Sequence, residues 1–236
     1  VVVSGGTAHL AYAVVRNGGS GYGCSHSYYS PVCVQNSGTL SLDQMSFYHN
    51  SPLDPAALSG VVTAFSAGDT DLINLNITNS SFDENGLSNN AASYYAVRLD
   101  GPGIRLVMDE NTFSSNQVNR VLLQNNPLKT QTSAVLTDQE GLDAYEFYPA
   151  YLSQHLIPSG NTLTIEPGVK LLSLPGAWST GYAILVEGTL IAAGTETDPI
   201  VMDASNPAYG WGGLIVQGAG ASATLTHTEI LHGGRA

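Results

Sequence analysis

Three segments share the pattern Ser/Thr-Phe-x-x-Asn: Ser46-Phe47-Tyr48-His49-Asn50, Ser81-Phe82-Asp83-Glu84-Asn85 and Thr112-Phe113-Ser114-Ser115-Asn116. Their spacing is 35 and then 31 residues. Upstream of each ring, apolar residues stand at alternate positions: Leu40 and Leu42, Leu75 and Ile77, Leu106 and Met108. That alternation marks one face of a β-strand. With a β-branched residue for Phe and Gly for Asn, the same frame fits Ala8, Leu10, Val15 and Gly18, and again Ala223, Leu225, Ile230 and Gly233. A repeat of this length is the signature of stacked coils, each covering the apolar face of the next. Asn50, Asn85, Asn116, Gly18 and Gly233 are then expected at a corner repeated on every coil, because Asn and Gly most easily take left-handed backbone. Phe47, Phe82 and Phe113 are expected to stack inside.

Between these segments runs a second set of short apolar stretches: Val61-Val62-Thr63-Ala64-Phe65, Tyr95-Ala96-Val97-Arg98-Leu99, Arg120-Val121-Leu122-Leu123, Ala183-Ile184-Leu185-Val186 and Leu214-Ile215-Val216. Each coil therefore holds at least two strands. No segment of helical period and length intervenes, so crossovers through helices are not expected. Charged residues make up 11% of the chain, below the quarter or so usual in soluble domains, while 26 Gly and 11 Pro suit short strands and turns. The expected fold is all-β, a single parallel β-helix solenoid over 1–236 with rungs of about 31–35 residues. Loop excursions are expected near 19–38 and 127–156.

The charge balance, 7 Lys+Arg against 19 Asp+Glu for a net −12, provides no clustered cations to neutralise phosphates, so nucleic acid is not an expected partner. No apolar run approaches the ~20 residues that span a bilayer, and no membrane insertion is expected in this segment.

The stretch Ile157-Pro158-Ser159-Gly160-Asn161-Thr162-Leu163-Thr164-Ile165-Glu166-Pro167-Gly168-Val169 resembles a recurrent segment of secreted right-handed parallel β-helix proteins. Gly188-Thr189-Leu190-Ile191-Ala192-Ala193-Gly194-Thr195, Asp198-Pro199-Ile200-Val201 and Gly210-Trp211-Gly212-Gly213 continue the resemblance in order. It implies a right-handed, pectate-lyase-like fold and an extracellular or cell-surface location. It does not imply an enzyme, because the same coil serves adhesins, tail spikes and lyases alike.

In a secreted protein, Cys24 and Cys33 read as a disulfide closing the loop between them. The alternatives are two free thiols or a metal site with His26 and His49. Asp83-Glu84, Asp109-Glu110 and the group Asp138, Glu140 and Asp143 are candidates for calcium binding or acid/base work on a polysaccharide, with solvated corner residues as the plainer account. A lyase would need a basic residue beside them, and Arg98, Arg105 and Arg120 are the nearest. The Asn-Thr-Asp, double-Asp and Gly-His-Gly motifs of polygalacturonase-like enzymes are absent, and His232-Gly233-Gly234 only half resembles the last. No catalytic residue is assigned. Tyr28-Tyr29, Tyr94-Tyr95, Tyr145, Tyr148 and Tyr151 could make a sugar-stacking platform or simply cover sheet surface. Asn76 and Asn79 head two adjacent glycosylation sequons.

Val3, Gly5, Ala8, Leu10, Gly18 and Gly19 align with Val216, Gly218, Ala223, Leu225, Gly233 and Gly234, with two residues inserted near Gly220. The match suggests a super-repeat of roughly 215 residues, of which the sequence would be an excerpt. Uncapped coils leave unpaired backbone groups that recruit other chains. Val1, Val2, Val3, Leu225 and Ile230 are thus expected at assembly ends. The expected function is a repeat unit of a surface fibre, filament or adhesin stalk that stacks head-to-tail on copies of itself. A carbohydrate-active or glycan-binding module is the alternative. No cofactor is expected beyond the calcium candidates.

Overall fold

The computed structural model describes residues 1–18, 24, 30–51, 59–87, 94–148, 155–174 and 183–234. These residues form an all-β parallel solenoid with no helix among them. They cluster into two compact units, one of residues 1–122 with 139–143, the other of 123–138 with 144–236.

In unit 1 the chain runs β1 (Val2–Ser4), β2 (Thr7–Ala11), β3 (Val14–Arg16), β4 (Val32–Gln35), β5 (Thr39–Asp43), β6 (Ser46–Tyr48), β7 (Ser59–Phe65), β8 (Ile73–Thr78), β9 (Ser81–Asp83), β10 (Tyr94–Asp100), β11 (Ile104–Asp109) and β12 (Thr112–Ser114). β13 (Val118–Gln124) has residues in both units. Every third strand pairs in parallel, giving the ladders β1-β4-β7-β10, β2-β5-β8-β11 and β3-β6-β9-β12. The register sets like on like: Leu40 on Leu75 on Leu106, and Phe47 on Phe82 on Phe113. Inward side chains of β5 and β8 are buried and their outward neighbours partly exposed, as the period of two requires.

Unit 2 follows the same rule with β14 (Ser133–Leu136), β15 (Ala144–Tyr148), β16 (His155–Ile157), β17 (Thr162–Ile165), β18 (Lys170–Ser173), β19 (Ala183–Val186), β20 (Thr189–Ala193), β21 (Ile200–Ala204), β22 (Gly213–Val216), β23 (Ser222–Thr226) and β24 (Thr228–Ile230). Its ladders are β14-β17-β20-β23, β15-β18-β21-β24 and β16-β19-β22. Leu163, Leu190 and Ala223 form one inward row, and Leu171, Met202 and Ile230 are likewise aligned. All five apolar stretches of the second set fall within β7, β10, β13, β19 and β22.

Candidate functional site

The recurrent asparagines do a different task from the one their composition suggests. Left-handed backbone falls one residue earlier, at His49 (φ 53°), Glu84 (50°) and Ser115 (52°), and likewise at Asn17 (54°) and His232 (49°). A second left-handed residue follows each inward strand: Tyr12, Gln44, Asn79, Glu110 and His227. Asn50, Asn85, Asn116, Gly18 and Gly233 are not left-handed. Asn50 and Asn85 are instead buried, and the asparagine side chains tie each coil to its neighbour. The backbone N–H of Asn50 and its Nδ2 both donate to Asn85 Oδ1 at 2.9 Å. Asn85 repeats the pattern on Asn116 Oδ1, at 3.0 and 2.7 Å. Each Nδ2 also reaches a carbonyl of the preceding coil: Val15 from Asn50, Phe47 from Asn85 and Phe82 from Asn116. A corner turns its backbone amides away from the strand ladders, and the asparagine amide supplies the partners that burial demands.

A second buried ladder, missed from sequence, runs one residue before each Ser/Thr-Phe pair. Met45 N–H donates to Ser80 Oγ (3.1 Å), Ser80 N–H to Asn111 Oδ1 (3.0 Å), and Asn111 N–H to Gln139 Oε1 (2.9 Å). Beside it the phenylalanines stack, Phe47 on Phe82 with centroids 4.6 Å apart and Phe82 on Phe113 at 5.0 Å, interplanar angles 15° and 5°. The aromatic row ends where Gly141 lies against Phe113: a Cβ there would meet the Phe113 carbonyl oxygen at 2.0 Å.

The outer face of β4, β7 and β10 is covered. Cys24 bonds to Cys33, and both are fully buried. The disulfide removes the free-thiol and metal alternatives; His26 lies outside the described residues. Cys33, Thr63 and Arg98 share one outward row. Ser30 Oγ meets Thr63 Oγ1 at 2.5 Å on that row. Arg98 is 0% exposed, and its Nη2 donates to Asp100 Oδ2 at 3.0 Å. Tyr94, at the start of β10, is also buried, and burial pushes its hydroxyl above the usual tyrosine range.

The acidic candidates disperse. Asp83 accepts from Ser114 Oγ at 2.6 Å, Glu84 pairs with His49 Nε2 at 2.5 Å, and Asp109 and Glu110 are exposed. Tyr48 stacks on His49, and its hydrogen bond to Glu84 raises its pKa. Among the described residues, no group of three His, Cys, Asp or Glu side chains could hold a metal ion. Arg98, buried against Asp100, cannot share an open cleft with the exposed Asp109 and Glu110; the lyase-like grouping of these with Arg105 does not form. Asp138, Glu140 and Asp143 are exposed. Tyr94, Tyr95 and Tyr145 are buried, so they make no outward sugar platform; Tyr28, Tyr29 and Tyr151 lie outside the described residues. Asn76 Nδ2 donates to Ser41 Oγ, and exposed Asn79 donates to Asp43, whose carboxyl is held below its usual range by Asn79 and Thr78. In unit 2 an apolar hollow is lined by Leu123, Ala134, Phe147, Leu163 and Ile184, with no titratable side chain among its described lining residues.

β1, β2 and β3 have ladder partners on one side only, as do β22, β23 and β24. Inward residues that are fully buried on middle coils are exposed here: Val216 by 45%, Leu225 by 40% and Ile230 by 41%. Val1 and Val2 are exposed, while Val3 is buried against Val34.

Parallel ladders with inward stacks of like residues define a β-solenoid protein. Residues 134–234 match the family model described as a pectate-lyase-like beta helix domain. No curated protein and no solved structure matches the chain.

Proposed function

We propose that the chain is a structural unit of an extracellular assembly, a surface fibre or adhesin stalk, whose copies join head-to-tail through the open coil edges. The observation that supports this reading is the coil-on-coil stacking of like residues, Leu40 on Leu75 on Leu106 and Phe47 on Phe82 on Phe113, a geometry that a coil of another copy can continue. An edge with free N–H and C=O groups is a template for another strand, and apolar residues beside it favour covering the edge over solvating it. Natural sheets blunt such edges with charge, proline or a cap. Here the inward rows at both edges are apolar or small. A disulfide and a pectate-lyase-like fold are compatible with an extracellular location. Among the described residues the basic and acidic candidates are scattered, and the hollow in unit 2 has no titratable group among its described lining.

Sedimentation velocity over a hundredfold range of concentration, with electron microscopy of the same samples, tests the reading. End-to-end multimers are expected, and Leu225→Lys should reduce them while leaving the monomer folded. A monomer throughout the range overturns it.

A further inference from the structure

The outer face of the ladder β14-β17-β20-β23 in unit 2 is an ordered array of hydroxyls and methyls. The register sets Ser133, Thr162, Thr189 and Ser222 in one outward row, and Val135, Thr164, Ile191 and Thr224 in the next. Ala193 and Thr226 continue a third. These side chains are exposed or half-buried, Val135 by 43%. Along the first row Ser222 Oγ donates to Thr189 Oγ1 at 3.3 Å. None of them is charged or aromatic, in a chain of net charge −12; Glu166 and Glu187 stand just outside the strand bounds.

Unit 1 offers no such face. The outward rows of β2, β5, β8 and β11 include His9, Asp43, Arg105 and Asp109. In unit 2 the strands stack in unshifted register, so outward side chains repeat about every 4.8 Å across the coils and about every 6.6 Å along each strand. A repeat in two dimensions is matched fully only by a partner that is itself ordered in two dimensions.

Partners of other kinds fit poorly. Four strands of about five residues present roughly 300 Å², against about 800 Å² per partner in a stable protein interface. Nucleic acid would need cations, sugar rings pack on aromatic side chains, and a charged mineral face would need charges within the rows. Ice is an uncharged solid whose surface is a lattice of hydrogen-bonding oxygens. Threonine offers it a hydroxyl that both donates and accepts, and a methyl that orders the water around it. Because the coils fix the spacing of these groups beforehand, many weak contacts can form together at little ordering cost. We propose that the outer face of β14, β17, β20 and β23 binds ice. The proposal is independent of the head-to-tail reading above.

The test grows ice slowly from a solution of the full-length protein and measures protein in the ice and in the remaining liquid. The parent should be enriched in the ice and should slow recrystallisation in a frozen sucrose solution. Thr164→Lys, within the array, should melt like the parent and be excluded from the ice as an ordinary solute is. Thr224→Lys, at a more exposed position of the same row, supplies the same readout if the change at 164 disturbs folding. Val107→Lys, on the outer face of β11 in unit 1, should be taken up as the parent is. Exclusion of the parent overturns the proposal, as does uptake of both array variants at the parent's level or loss of uptake in Val107→Lys. Binding to powdered crystalline cellulose or chitin without uptake into ice would also overturn it and assign the face to an ordered polysaccharide.

Discussion

Replacing Asn85 by Asp separates the hydrogen bonds of the buried ladder from its packing, because the two side chains have nearly the same shape. Asn85 Oδ1 accepts from the backbone N–H and Nδ2 of Asn50, and its own Nδ2 donates to Phe47 O at 3.0 Å and Asn116 Oδ1 at 2.7 Å. A carboxylate keeps the first pair and loses the second, turning an oxygen toward two acceptors. Each buried polar group left without a partner costs about 1–3 kcal/mol, and burying the charge adds to that. Asn85→Asp should therefore lose about 4 kcal/mol at pH 7 in urea or thermal unfolding. The pH dependence has a defined sign. Burial and the two facing oxygens raise the folded pKa of the new carboxyl above the unfolded value of about 3.9. Below that value the group is protonated in both states, one donor bond returns and the deficit is smallest. The deficit grows as pH rises above about 4 and levels off past the folded pKa. Asn79→Ala, at an exposed position with one side-chain bond to Asp43, should cost less than about 1 kcal/mol. A loss below about 1 kcal/mol for Asn85→Asp, or one that does not change between pH 3 and 7, would refute the argument that the ladder's donors are needed.

Phe82→Ala removes the middle ring of the stack, buried between Phe47 and Phe113, and should cost about 3–5 kcal/mol in denaturant unfolding, against about 1 for Phe82→Leu. Cys24→Ser with Cys33→Ser opens a loop of sequence separation 9 and should lower stability by roughly 2.5–3 kcal/mol, measured against the oxidised parent. Tyr145, pushed up to about 12 mainly by burial, donates to Thr137 O at 2.9 Å. Its folded pKa lies above the unfolded value near 10, so its contribution is complete below pH 10 and should fall by about 2–3 kcal/mol between pH 10 and 12. Tyr145→Phe should flatten that alkaline decline in a pH series of melting curves.

The coil period was legible because Phe47, Phe82 and Phe113 must stack, and a stack forces the same residue to recur at one place. The function of Asn50, Asn85 and Asn116 was not, since an asparagine at a corner looks alike whether it adopts a left-handed turn or satisfies the coil beside it. Only the φ values of His49, Glu84 and Ser115 separate the two. The second ladder escaped notice because Ser80, Asn111 and Gln139 differ in type and length while sharing only an acceptor oxygen. Burial of Arg98 was equally hidden, since an arginine reads as a surface residue and its partner Asp100, two residues on, lies on the same face of the strand.

Asn85 is followed by Gly86, the neighbour that least obstructs attack by a backbone nitrogen on the side-chain amide, the route by which asparagine loses its ammonia and becomes aspartate. In the folded coil that nitrogen is engaged, Gly86 N–H donating to Asn50 O at 2.7 Å, while both hydrogens of the Asn85 amide are occupied. The conversion that would break the ladder is thus restrained by the ladder itself and proceeds when the coil opens. The chemical ageing of Asn85 is set by how often its coil breathes.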